Sequence, residues 1–147
     1  MGSRDADIDF TFFDPTTVRA VFDALTPAGW SAEEAPGCVR YLINDAADLY
    51  DWSAGTPERL DELLTELDSP AHLPYVVCLN IYAPRARTGG TLMFHPGRTE
   101  VSFSPVIDRR RIPGAPEFTD LAWYLHALVP CLVTAGLKAY EAREIRW

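Results

Sequence analysis

Three histidines, three cysteines, two strand-spaced serines and a concentration of carboxylates are the side chains of this sequence with chemistry to offer. His72, His95 and His126 stand far apart. None belongs to a His-Glu-x-x-His pair, which would turn two imidazoles toward a metal from one helix face. His126 lies among the leucines of an apolar stretch and reads as a core or boundary residue. His95 closes a strand-like run beside Pro96-Gly97-Arg98. Of the three it is the one placed to act as acid or base, because sites gather where strands give way to loops. Ser102 and Ser104 alternate with Val101 and Phe103, as the polar face of a strand would, and no Gly-x-Ser-x-Gly turn presents a nucleophile. Thr88-Gly89-Gly90-Thr91 leads into a strand, so it lacks the helix amides of a phosphate loop and reads as a flexible hairpin loop. Cys38, Cys78 and Cys131 occupy apolar runs without paired spacing, and burial makes a thiol inert. The sequence gives no reason to expect a catalytic group, a metal or a cofactor.

The carboxylates carry a different signal. Residues 1–70 hold fifteen Asp and Glu against four Arg, whereas residues 71–147 hold six acids against nine bases. The stretch from Ser31 to Pro70 alone has ten acids and two bases, a local −8 that equals the net charge of the whole chain. Asp45, Asp48 and Asp51 recur every third residue, which fits neither the alternate oxygens nor the glycine of a calcium loop. Tyr50 and Trp52 stand among them, and aromatics flanked by charge are common at binding hot spots. With Asp61, Glu62 and Glu66 on one side of a predicted helix, these residues form a candidate surface for a basic protein partner. The bases also gather. Arg85 and Arg87 follow one predicted strand and Arg109, Arg110 and Arg111 follow another two strands later, so a meander would bring the five to one end as a candidate anion site.

Length and composition bound the rest. A chain of 147 residues is expected to form one domain, 1–147, burying roughly 70% of the surface its unfolded form exposes, without disulfides or metal. The acidic balance and the absence of a basic helix disfavour nucleic acid, and no apolar run approaches the ~20 residues of a membrane span. Met1–Asp9 is polar and acidic, unlike a secretory signal, and unpaired cysteines fit a reducing, cytoplasmic setting. Twelve Arg against one Lys suggests GC-rich bacterial coding.

Periodicity supplies the elements. Alternation predicts a strand over Asp7–Phe13, and Asp14-Pro15 a helix start before Val18, Val21, Phe22 and Leu25. Extended segments are expected over 30–34 and 37–43, then a polar connection over 44–55. Thr56-Pro57 signals a second helix carrying Leu60, Leu63, Leu64 and Leu67. Residues 75–107 read as a three-stranded meander in which Pro105 suits an edge or a bulge. Arg109–Glu117 reads as a loop. A long apolar helix follows from Thr119 or Asp120, kinked or divided by Pro130, and the last ten residues continue as strand or helix. The expected class is α+β, a mostly antiparallel sheet with three helices on one face.

Two function classes follow. The first is a non-enzymatic protein, of the immunity or inhibitor type, that binds a basic partner through its acidic surface. The alternative is a small enzyme or small-molecule binder with a pocket near His95 or the arginine group, lined by Tyr82, Phe94, Phe103, Trp123 and Tyr124. The opposite signs of the two halves would also suit the pairing of two copies, helped by Trp147 and an edge near Pro105.

Overall fold

Alternation of apolar and polar side chains writes the first strand. Ile8, Phe10 and Phe12 are buried while Asp7, Asp9 and Thr11 turn to the opposite side, giving β1 (Arg4–Phe12). The computed structural model describes residues 4–34, 37–45, 47 and 49–146; Asp48 and Trp147 therefore lie outside the described residues.

Helix α1 (Val18–Leu25) starts three residues later than the Asp14-Pro15 signal implies. The N–H of Ala20 donates to Thr17 Oγ1 at 3.0 Å. The Val18 and Arg19 amides donate to the two carboxylate oxygens of Asp68, at 2.7 and 3.0 Å. The open amides of the first turn are thus met by Thr17 and by a residue fifty positions away. Gly29, at φ 94°, ends the short turn that follows. After β2 (Glu33–Glu34) and β3 (Cys38–Asn44), the expected connection contains a strand, β4 (Trp52–Gly55), paired to β3 from Leu42↔Trp52 to Val39↔Gly55. Its side chains are mostly exposed, so it carries no apolar alternation to betray it. Helix α2 (Leu60–Leu67) follows a 3-10 turn, and Thr56 makes no capping bond.

The meander is β5 (Val76–Ala83), β6 (Thr88–Phe94) and β7 (Glu100–Ile107). The glycine pair expected in a flexible loop lies inside β6. A Cβ on Gly89 would stand 2.3 Å from Ile81 O, and one on Gly90 would stand 2.2 Å from Ser104 O and 2.7 Å from Phe103 Cζ. These glycines are there for close approach of neighbouring strands. Pro105 follows Ser104 where the β6–β7 register shifts, a bulge within an interior strand. The expected 109–117 loop holds a small hairpin, β8 (Arg111–Ile112) with β9 (Ala115–Thr119). Asp120 caps α3 (Leu121–Val133), accepting from the N–H of Trp123 at 3.2 Å. Pro130 does not divide that helix. It lies in the last turn, on the exposed side. The tail is a strand, β10 (Leu137–Arg146).

The large sheet is antiparallel throughout, in the order β10-β1-β7-β6-β5-β3, with β4 on the far side of β3 and β2 beside β3 next to β5. It curls into a half-barrel. Val18, Val21, Phe22 and Leu25 of α1, Leu63, Leu64 and Leu67 of α2, and Tyr124, Leu128 and Leu132 of α3 share one core with Ile8, Phe10, Leu79, Leu92 and Phe103. All three helices therefore cover the same face of the sheet. The other face carries Asp7, Asp9, Asn80, Thr91, Met93, Ser102 and Ser104 and, among the described residues, has no helix over it.

Arg98 locks one end of the molecule. It is 2% exposed, and its guanidinium donates to the carbonyls of His72, Tyr75, Phe94 and His95 at 2.8 to 3.2 Å. Burial lowers its pKa while the Asp68 charge raises it. This is a structural clamp, closed to any ligand.

Candidate functional site

The acidic residues divide into two sets. On α2, Asp61, Glu62 and Glu66 are exposed, and two of them already have cationic partners. Arg19 bonds Asp61 Oδ1 at 2.8 Å and also reaches Asp61 O and Thr65. Arg59 bonds Glu62 Oε2 at 2.8 Å, and that contact raises its pKa. The Glu66 carboxylate makes no hydrogen bond among the described residues. The second set lies in the β3–β4 loop. Asp45 and Asp51 are exposed there, and Asp45 accepts from the nearby Ala47 N–H at 3.0 Å. Antiparallel partners share a face of the sheet, and Trp52 pairs with Leu42, which pairs with Cys78, which pairs with Met93. Trp52 therefore stands on the helix-free face, opposite α2. The predicted plate is not continuous.

The loop set has its own geometry. Leu49, Tyr50 and Trp52 are 67%, 51% and 44% exposed, three large apolar groups within four residues. The Tyr50 N–H donates to Oδ1 of buried Asn44 at 3.0 Å, which anchors the loop to the end of β3. Tyr50 adopts φ 49°, a left-handed conformation that costs a bulky residue about 1 kcal/mol or more and is found at functional positions.

The arginines meet at one end, as a meander requires, but they do different jobs. Arg109 donates to Thr119 Oγ1 at 2.7 Å and approaches Glu144 at 3.5 Å; both members of that pair are largely buried. Arg111 donates to Pro116 O at 2.9 Å. Arg110 lies 4.6 Å above the Trp123 ring, with its Nε buried and unpartnered. The side chains of Arg85 and Arg87 have no hydrogen-bond or ion-pair partner among the described residues. Beside Arg85 runs a groove of about 550 Å³, lined by Trp30, Ala83, Pro84, Trp123, Ala127 and Pro130 among others. Of the five aromatics expected to line a pocket, Trp123 does; Phe94, Phe103 and Tyr124 are wholly buried in the core, and Tyr82 borders a smaller hollow with Glu34.

His95 borders a cleft of about 340 Å³ on the helix-free face, with Asp7, Asp9, Ser102, Ser104 and Arg143. His95 Nε2 lies 2.8 Å from Ser102 Oγ, and Ser102 Oγ donates to Asp9 Oδ1 at 2.7 Å. Arg143 holds the other Asp9 oxygen at 2.9 Å. The order matters. With its single proton directed to the Asp9 carboxylate, Ser102 Oγ is left as an acceptor toward His95 Nε2. A nucleophilic triad requires the reverse. The row is a polar ladder across β6, β7, β1 and β10. Sequence reasoning placed Ser102 and Ser104 on a polar strand face but not their partners; the matching two-residue spacing of Asp7 and Asp9 is the signal that points to them.

Elsewhere, Cys78 is buried and burial pushes its thiol up to about 12, Cys131 is raised for the same reason, and His126 is exposed on α3 instead of at a core boundary. Among the described residues no group of three or more His, Cys, Asp or Glu is arranged to hold a metal ion, and no helix is long and apolar enough to cross a membrane. Comparison of the chain with protein-family models, with curated proteins and with solved structures gives no match.

Proposed function

We propose that this chain is a non-enzymatic binding protein whose β3–β4 loop docks a basic protein partner, in the manner of an inhibitor or immunity protein that covers a cationic site. The observation that carries this reading is the exposed trio Leu49, Tyr50 and Trp52 on an anchored loop flanked by Asp45 and Asp51. A folded chain gains nothing in stability by showing these side chains to water, whereas a partner can desolvate them as a hot spot. Asp45 and Asp51 supply complementarity at the rim. Asp61, Glu62 and Glu66, on the other side of the sheet, contribute to the long-range field that speeds encounter.

The test is capture of a partner from native lysate by the full chain, followed by reconstitution from purified components. The expected result is a 1:1 complex with a basic protein that weakens with salt, loses about a hundredfold in affinity on Tyr50→Ala with Trp52→Ala, and slows in association on Asp45→Asn with Asp51→Asn. A complex indifferent to the loop variants, or no stoichiometric basic partner at any salt, defeats the proposal.

The Arg85 groove favours a second reading, as a binder of a small apolar organic anion. Its volume is in the range of ligand sites, and Arg85, whose side chain has no hydrogen-bond or ion-pair partner among the described residues, offers a cationic donor at an apolar wall. Titration with 2-naphthoate, followed by tryptophan fluorescence, should then show binding at least about tenfold tighter than the neutral alcohol of the same ring system, and Arg85→Gln should abolish the difference. Equal affinity for acid and alcohol removes this reading.

A further inference from the structure

Helix α3 is apolar on every side, yet only one side is covered. Its thirteen residues, LAWYLHALVPCLV, include no Asp, Glu, Lys or Arg. Tyr124, Leu128 and Leu132 enter the core, while Ala122, His126, Pro130 and Val133 are exposed, Val133 by 59%. A helix that is apolar all round belongs between two layers. Beside it runs β10, a ten-residue strand that among the described residues pairs only with β1, leaving its outer edge open there. An edge of that length is a template for another strand. The two features adjoin. Tyr140 of β10, 53% exposed, closes a hollow of about 270 Å³ with Leu125, His126, Val129 and Pro130 of α3.

We propose that this edge and helix face form a two-fold interface with a second copy of the chain, β10 against β10 and α3 against α3. Antiparallel neighbours share a face of the sheet, so a strand pairing with its own copy must centre on one residue. Centring on Ala142 sets Glu141 of each copy opposite Arg143 of the other. Both side chains are on the helix-free face, where Arg143 lies 2.9 Å from Asp9 and 3.6 Å from Glu141 within one chain. The same register sets Lys138 opposite Arg146, whose charge is partly met by Glu117 at 3.8 Å. The charge distribution selects this occupant. Residues 121–146 carry Lys138, Arg143 and Arg146 against Glu141 and Glu144, close to neutral in a chain of net −8. Two copies meeting here avoid the mutual repulsion of their acidic halves, and this face holds no concentration of acid to draw a basic partner. An isologous contact then buries an apolar helix stripe and completes a sheet edge in one step.

Sedimentation of the full chain from about 1 μM to about 1 mM tests the proposal. The expected result is a rise in mass from 16.4 kDa toward twice that value. Val133→Glu and Glu141→Arg, both at exposed positions, should each weaken association by about tenfold or more. Adding Arg143→Glu to Glu141→Arg should restore it to within about threefold, since the swap recreates the pair. Circular dichroism melting identifies any variant that has lost its fold, and Val133→Lys then stands in for Val133→Glu. A monomer at every concentration overturns the proposal. So does a dimer that ignores Val133→Glu, or one that Glu141→Arg disrupts and the double swap fails to rescue.

Discussion

Two regions use the same residue types for opposite ends. Where α1, α2 and the β6–β7 turn converge, Asp68, Arg19 and Arg98 are all engaged internally. Asp68 holds the first amides of α1, Arg19 bridges to Asp61 and Thr65, and Arg98 gathers four carbonyls. In the β3–β4 loop the carboxylates of Asp45 and Asp51 face water beside Leu49, Tyr50 and Trp52. The acidic half of the sequence is therefore two populations, one that assembles the fold and one left on display. Carboxylate count along a chain does not distinguish them; the position of hydrogen-bond donors in three dimensions does.

The sharpest test of that division is Arg98→Met. Removing a buried guanidinium strands four carbonyls, and the expected loss is about 3–5 kcal/mol in urea unfolding, against under about 1 kcal/mol for Trp52→Ala at the displayed loop. Near-equal losses would erase the distinction. The next largest effect concerns Cys78, whose thiol is raised from 9.0 to about 12 by burial. The unfolded chain releases this proton first, so the stabilisation is complete below pH 9 and declines as pH rises toward 12, by at most about 1.4 kcal/mol per pH unit. Cys78→Val should flatten that decline relative to the parent chain, and parallel pH profiles would refute the assignment. Asp68→Ala should cost about 1–2 kcal/mol through the uncapped start of α1, with loss of helical ellipticity. Tyr50→Gly should leave stability unchanged or raise it by up to about 1 kcal/mol, because glycine accepts φ 49° without strain; a marked loss would mean that the loop supports the fold. Glu62→Gln, which breaks an exposed pair with Arg59, should leave the urea unfolding midpoint unchanged.

The sequence shows the outline of the fold because burial leaves a periodic trace. β1, α2, the meander and α3 all follow from apolar spacing, and the cap at Asp120 from its place before Leu121. What escaped had no such trace. β4 is mostly exposed and shows no apolar alternation. Gly89 and Gly90 resemble a loop by composition, and their role appears only once Ile81 O and Ser104 O stand against them. Thr17 and Asp68, and not Asp14, meet the leading amides of α1, and a carboxylate fifty residues away leaves no local sequence signal. For the candidate site, Tyr50 and Trp52 were legible as aromatics among acids. The separation of α2 from Trp52 was not, since it depends on which face of the sheet each element takes.

The grip of Asp68 on Val18 and Arg19 also ties the timing of two helices together. An eight-residue helix is too short to persist alone in water, and the acceptor for its leading amides is fifty residues downstream. In a chain emerging vectorially, α1 gains that acceptor only after the segment ending at Asp68 has emerged. In the finished molecule the two helices should open as one cooperative unit. Hydrogen exchange reports on this directly: the Val18 and Arg19 amides should exchange at the rate of the α2 backbone and accelerate with it in Leu64→Ala. Amides that stay protected while α2 opens would show that α1 keeps its own clock.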